Sequence, residues 1–136
     1  MFFRPVVPVQ VTTLREAFYG CESPCELPKY VGLGMRNWDV SRVTTLQHTF
    51  RFAQAMNAEL DTWDVSAVTT LYHTFSKAIV FTGGGLAKWD TTSVTSMRKT
   101  FMGAIVFNAD MSRWSTVKFT ELGSTFSGAA RFTGQG

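Results

Sequence analysis

The chain has 136 residues, of which 45% are hydrophobic and 17% charged, so it carries enough apolar material for one folded domain. Its net charge of +3 comes from charges scattered along the chain, which argues against a nucleic-acid-binding surface. No apolar run approaches the roughly 18 residues that a membrane-spanning helix needs, and the first residues lack the apolar core of a secretory signal. We therefore expect no nucleic-acid partner and no membrane span.

The first recognisable element, Val11 to Phe18, is a partial copy of a motif that recurs downstream. The segment 21–34 follows it and contains two prolines and two glycines, which are typical of a loop. We interpret residues 1–34 as an atypical first unit with an inserted loop, because terminal repeats are usually the atypical ones.

Tryptophan and phenylalanine mark a repeat of about 25 residues along the rest of the chain. The marking residues are Trp38, Trp63, Trp89 and Trp114, with Phe50, Phe75, Phe101 and Phe126. Both sets have successive separations of 25, 26 and 25, and the glycine run 83–85 can absorb the extra residue. The sequence therefore predicts a single repeat domain, 1–136. Its first to fifth units are 1–34, 35–62, 63–88, 89–113 and 114–136, the last of them incomplete.

Each unit carries an apolar stripe with the spacing of a short α-helix. In the second unit the stripe consists of Val43, Leu46, Phe50 and Ala53. Thr44 stands at the start of this stripe, where its hydroxyl could accept a hydrogen bond from a first-turn amide. The pattern predicts one short helix per unit, beginning near this threonine.

A brief segment around each tryptophan has the spacing of a strand. Trp63 and Val65 share one face at a period of two, shortly after Leu60. Strands that alternate with helices must be parallel, and strands stack more closely than helices do. The predicted fold is therefore an α/β repeat solenoid of about five coils, with short parallel strands on the concave side and short helices on the convex side.

These motifs resemble the BspA-like leucine-rich-repeat surface proteins of bacteria and protists. The resemblance covers about residues 35 to 133 and rests on the Trp-Asp-Val-Ser segment, the Val-Thr-x-Leu/Met segment and the Phe107-Asn108 pair. It implies a non-catalytic module for adhesion or interaction, with a protein or glycan partner and no cofactor. It also implies an extracellular or cell-surface location.

The strand residues beside each inward tryptophan form the predicted binding surface of the concave side. They are Asn37, Asp39, Thr62, Asp64, Lys88, Asp90, Arg113 and Ser115. This surface grades from acidic to basic along the repeat, which suits a polypeptide or another polar partner of mixed charge. We therefore predict partner binding through these residues.

The aspartates that follow three of the tryptophans are Asp39, Asp64 and Asp90. Stacked carboxylates repel one another, so a calcium ion is one way to compensate them. The favoured interpretation is structural, because an aspartate in a turn can accept hydrogen bonds from nearby backbone amides. We predict no metal site.

His48 and His73 occupy equivalent positions opposite the apolar stripe of the predicted helices. We expect both to be solvated and about one helix diameter apart, too far to share a metal ion. Cys21 and Cys25 are close enough to form a disulfide in an oxidising compartment and are expected to remain thiols in a reducing one.

The last unit has no following tryptophan within the 136 residues. We expect Met111, Phe126 and Phe132 to be only partly buried there, as an apolar patch that monomers seldom leave exposed. The alternative function is therefore that of a structural accessory subunit, which packs into a larger homomeric or heteromeric assembly through this C-terminal end.

Overall fold

The structure is a computed structural model that describes residues 11–20 and 31–134. The helices of these residues are two short 3-10 helices, Met35–Asn37 and Leu86–Lys88, and neither is long and apolar enough to cross a membrane. The described residues contain no α-helix and no β-strand, and neighbouring units are joined by isolated parallel bridges. These bridges are Thr13 to Thr45, Thr45 to Thr70, Thr70 to Ser96 and Ser96 to Glu121.

The prediction of an α/β solenoid is wrong, because the predicted helical segment of each unit is a succession of turns. The N–H of Thr49 donates to the carbonyl of Leu46, three residues back, as in a turn. His48 has a left-handed φ of 57°, which an α-helix does not contain. The N–H of Phe50 donates to the carbonyl of Thr74 in the next unit, at 2.9 Å, instead of closing a helical bond.

The close stacking of the units leaves no room for packed α-helices. The ring centroids of Phe50 and Phe75 are 5.4 Å apart, and the N–H of Phe50 donates directly to the carbonyl of Thr74, the residue before Phe75. Packed helices need about 8 to 10 Å between their axes. The predicted convex and concave sides depended on α-helices and β-strands of different spacing, and the described residues contain no α-helix and no β-strand.

The predicted strand segment and the predicted helix cap are corrected as well. The N–H of Trp63 donates to the carbonyl of Leu60 in a turn, although both side chains are buried as expected. The hydroxyl of Thr44 donates to the carbonyl of Thr12 in the previous unit, so it links two units rather than capping a helix.

The same set of five backbone hydrogen bonds recurs at every described junction between units. Four alternate N–H groups of one unit donate to four alternate carbonyls of the next, and one N–H of the next unit donates back. Between the second and third units, the pairs are Leu46 to Thr70, His48 to Tyr72, Phe50 to Thr74, Phe52 to Ser76 and, in return, Thr69 to Thr44. Each unit therefore pairs with the next one in the same register.

Aromatic stacks and buried hydrogen bonds form the core between these backbones. The phenylalanine rings of successive units stack at 5.4 to 5.6 Å from Phe18 through Phe126. The tryptophan rings stack at 6.2 to 6.5 Å from Trp38 through Trp114. The indole N–H of Trp89 donates to the Leu60 carbonyl at 3.0 Å, so burial of the indole leaves its donor satisfied.

The glycine run 83–85 ends at a position that only glycine fits. Gly85 has a φ of 85°, and a Cβ atom there would lie 2.2 Å from the backbone nitrogen of Asp61. We expect Gly85→Ala to lower the free energy of unfolding by about 2 to 3 kcal/mol, because backbone strain and a clash with another backbone add together. Urea unfolding measures this loss. Gly123→Ala is the control, since its Cβ would meet nothing closer than 3.9 Å.

Candidate interaction surfaces

The predicted binding residues lie beside the stacked tryptophans, on turns rather than on strands of a concave sheet. Asn37 and Lys88 end the two 3-10 helices, and the hydroxyl of Thr62 donates to the carbonyl of Arg36. Ser115 is half-buried. The other seven residues of the set are exposed: Asn37, Asp39, Thr62, Asp64, Lys88, Asp90 and Arg113. Stacking of the units places these positions in one row along the molecule.

The aspartates of this row are occupied by their own turns. The carboxylate of Asp39 accepts hydrogen bonds from the hydroxyl and the N–H of Ser41, at 2.7 and 3.1 Å. Those bonds hold the pKa of Asp39 below its ordinary value, and bonds from Thr92 do the same for Asp90. Asp64 accepts the equivalent pair of bonds from Ser66. The turn interpretation of these aspartates is therefore confirmed, although no helix follows them.

Lys88, one of the predicted binding residues, forms an ion pair with Asp61. Its Nζ atom lies 3.3 Å from the carboxylate of Asp61, which also lies 2.9 Å from the Arg36 guanidinium. Burial works to raise the pKa of Asp61, but the hydrogen bonds from Lys88 and Arg36 hold that pKa below its ordinary value. A partner that binds Lys88 would have to compete with the carboxylate of Asp61.

No group of three or more histidine, cysteine, aspartate or glutamate side chains in residues 11–20 and 31–134 is placed to hold a metal ion.

The prediction for the two histidines is wrong. Their ring centroids are 5.1 Å apart and His73 is buried, because the turns of neighbouring units stack far more closely than helices would. Burial is the main cause that lowers the pKa of His73 to about 4, with further contributions from the charges of Arg51, His48, Lys99 and Arg98. His73 is therefore neutral at pH 7.

The two cysteines for which a disulfide was predicted in an oxidising compartment, Cys21 and Cys25, lie outside the described residues.

A shallow depression lies on the face that carries the bridging residues. Its volume is about 270 Å³, and it is wide open to solvent. The lining residues are Gln47, Thr70, Tyr72, Ser96, Arg98 and Glu121. These side chains are almost all polar and the depression is open, so it does not enclose a small molecule as an active-site cleft does.

The fifth unit presents an open row of hydrogen-bonding groups. The N–H groups of Leu122, Ser124, Phe126 and Gly128 are equivalent to those that donate across every other junction. Within the part of the chain that the structure describes, these four donors have no acceptor, and the carbonyl of Thr120 accepts no hydrogen bond. Among the described residues, the fifth unit is therefore an unpaired edge with the spacing of an internal junction.

Apolar side chains accompany this edge. Leu122 is 56% exposed, whereas its equivalents Leu46 and Leu71 are fully buried. The predicted assembly residues Met111, Phe126 and Phe132 are half-buried. We define the edge surface as the N–H groups of Leu122, Ser124, Phe126 and Gly128, the Thr120 carbonyl, and the side chains of Leu122, Phe126 and Phe132.

Sequence reasoning missed Leu122 and the row of N–H groups. The alignment of the repeats already equated Leu122 with Leu46, Leu71 and Met97, and this was the available signal for an exposed apolar residue. The N–H row had no such signal, because an α-helix would have paired these donors internally.

Comparison with protein families gives one match. A family model described as "Mycoplasma protein of unknown function, DUF285" matches residues 10–135. No curated protein and no solved structure matches the chain. The DUF285 family is related to the BspA-like proteins, but no leucine-rich-repeat model matches, so the assignment to a leucine-rich-repeat family is wrong.

Proposed function

We propose that this chain, which belongs to the DUF285 family of unknown function, is a non-catalytic interaction module. It binds a segment of a protein partner along the edge surface of its fifth unit. The observation that carries the proposal is the row of four alternate N–H groups at Leu122, Ser124, Phe126 and Gly128, which have no acceptor among the described residues.

The chemistry of the edge surface favours a polypeptide partner. At each internal junction the equivalent N–H groups donate to carbonyls of alternate residues in the turns of the next unit, so a polypeptide segment that follows the same turns presents acceptors at the required spacing. Main-chain hydrogen bonds of this kind supply affinity, and the exposed Leu122 side chain with the half-buried Phe126 and Phe132 rings adds apolar contact. A glycan has no regular row of carbonyl acceptors at this spacing.

Three features support a non-catalytic role. The shallow depression is open, and the carboxylates of Asp39 and Asp90 are engaged in turn hydrogen bonds. His73 has no serine, cysteine or threonine nucleophile bonded to it among the described residues, and its Nδ1 atom has no hydrogen-bond partner there. These groups stabilise turns and the core instead of forming a nucleophile and base pair.

Selection of peptides tests the proposal. A phage-displayed library of random peptides is selected against the immobilised 136-residue chain, and the affinities of the selected peptides are measured for the parent and for Leu122→Glu. We expect Leu122→Glu to weaken binding by about tenfold or more, since it places a charge among the apolar contacts of the edge surface.

Val117→Glu is the matched control, because Val117 is 90% exposed in the same unit and lies outside the edge surface. It is expected to change the affinity by less than about twofold. Amide hydrogen exchange should slow at Leu122, Ser124, Phe126 and Gly128 when a peptide binds. Peptides that tolerate Leu122→Glu but are lost on Arg113→Glu would contradict the proposal and transfer the site to the row beside the tryptophans. A selection that yields no binding peptide also contradicts it.

A further inference from the structure

We infer that the partner of the edge surface is a second copy of this chain, bound through its first unit in a head-to-tail arrangement. This inference rests on the proposed function of the edge surface and names its partner. Among residues 11–20 and 31–134, the chain carries both halves of one junction, a row of donors on the fifth unit and a row of acceptors on the first.

The acceptor row lies in residues 11–20. The carbonyls of Thr13, Arg15, Ala17 and Tyr19 are equivalent to those that accept hydrogen bonds in the four later units. Within the described residues, these four carbonyls accept no hydrogen bond. The N–H of Thr12 donates no bond there either, whereas the equivalent N–H of Thr44 donates to the Thr12 carbonyl.

The internal junctions fix the register between the two copies. At each of them, every donor pairs with the carbonyl one position earlier in the repeat of the next unit, and the threonine N–H donates back to the equivalent threonine carbonyl. The same rule gives the pairs Leu122 to Thr13, Ser124 to Arg15, Phe126 to Ala17, Gly128 to Tyr19 and, in return, Thr12 to Thr120. Every group of the set of five bonds has a counterpart.

One side chain distinguishes this junction from the internal ones. The internal junctions each contain a buried threonine whose hydroxyl lies within hydrogen-bond distance of a carbonyl of the previous unit: Thr49 of Leu14, Thr74 of Leu46, Thr100 of Leu71 and Thr125 of Met97. The hydroxyls of Thr49, Thr100 and Thr125 share their proton with the carbonyl three residues back in their own unit, at 2.7 to 2.8 Å. The equivalent residue of the first unit is Ala17, which is exposed and has no hydroxyl. The junction between copies therefore has one hydrogen bond fewer than an internal junction, and its acceptor would be the carbonyl of Leu122.

The symmetry of the assembly follows from the two different ends. A contact between unlike surfaces leaves one free donor row and one free acceptor row after each addition. Further copies can then add at both ends, so the average mass should rise steadily with concentration instead of stopping at a dimer.

Restoring the missing hydroxyl is the sharpest test. We expect Ala17→Thr to tighten the self-association of the 136-residue chain by about two- to fivefold, because the new hydroxyl can already donate within its own unit, as Thr49 does to Leu46, and association adds only a shared second acceptor. Ala17→Val is the control, since valine has nearly the same shape without the hydroxyl. Sedimentation velocity over a range of concentrations measures the association constant of each variant. Equal association constants for Ala17→Thr and Ala17→Val would overturn the inference.

Blocking one end at a time tests the arrangement. Leu122→Glu blocks the donor end and Ala17→Glu blocks the acceptor end, so each variant alone should be monomeric. An equimolar mixture has one intact end of each kind and should form a heterodimer that does not grow. Unfolding curves that match the parent show that both variants fold, and Val117→Glu should associate as the parent does.

The remaining outcomes separate this inference from the proposed function. Self-association that Leu122→Glu abolishes and Ala17→Glu leaves intact would indicate contact between two donor ends, which overturns the head-to-tail arrangement. A parent that stays monomeric at all concentrations while selected peptides still depend on Leu122 would overturn the second copy as partner and leave the proposed function standing. A parent that stays monomeric, together with selected peptides that do not depend on Leu122, would reject both the head-to-tail arrangement and the proposed function.

Discussion

Replacing Phe75 with alanine is expected to lower the free energy of unfolding by about 3 to 5 kcal/mol. Phe75 is fully buried in the middle of the phenylalanine stack, 5.4 Å from the Phe50 ring and 5.6 Å from the Phe101 ring. It also stacks on Phe81 at 4.4 Å. Backbone hydrogen bonds hold the neighbouring units at fixed spacing, so they cannot close over the cavity. Urea unfolding monitored by circular dichroism measures the loss.

Phe132→Ala is the matched control for this prediction. The Phe132 ring is half-buried in the fifth unit, although it stacks on Phe126 at 4.1 Å. The same deletion should therefore cost clearly less there, about 1 to 2 kcal/mol, because less apolar surface returns to water. Equal losses for Phe75→Ala and Phe132→Ala would show that burial within the stack does not determine stability.

The periodicity of the sequence predicts burial correctly and secondary structure incorrectly. The stripe of Val43, Leu46, Phe50 and Ala53 is buried as the spacing requires. Turns that direct every third or fourth side chain inward produce the same spacing as an α-helix, so the apolar pattern alone cannot separate the two. Thr44, Thr45 and Thr49 lie within the predicted helix, and their weak helix propensity was the available signal for turns.

For the edge surface too, the sequence predicts the exposure of side chains but not the backbone geometry. The exposure of Met111, Phe126 and Phe132 depends only on their places in the last unit, and all three are half-buried. The row of N–H donors depends on backbone geometry, because the left-handed φ of 59° at Ser124 belongs to the turns that leave alternate amides facing the next unit. No residue type in the sequence fixes that geometry, since the equivalent positions hold Glu16, His48, His73 and Lys99.

The free energy of unfolding is expected to fall by about 2 kcal/mol as the pH decreases from 6.5 to 4. Burial of His73 and the nearby charges of Arg51, His48, Lys99 and Arg98 lower its pKa to about 4 in the folded protein, whereas an unfolded chain has a pKa near 6.5. Within this window the unfolded state binds the proton more readily, so stability rises with pH and is complete above about 6.5. Urea unfolding at a series of pH values measures the slope.

His73→Asn should remove most of this slope. Asparagine is neutral throughout the window and tolerates the left-handed φ of 54° at this position. His48→Asn is the matched control, because it removes the neighbouring imidazole at a φ of 57° and leaves the buried one in place. Hydrogen bonds in their turns lower the pKa values of Asp39, Asp90 and Asp110, so the stability that these carboxylates contribute is lost mainly below pH 4 and adds to the slope only at the acid end of the window. A slope that survives His73→Asn and disappears in His48→Asn would assign the acid sensitivity to the more exposed histidine and show that His73 is not buried as a neutral group.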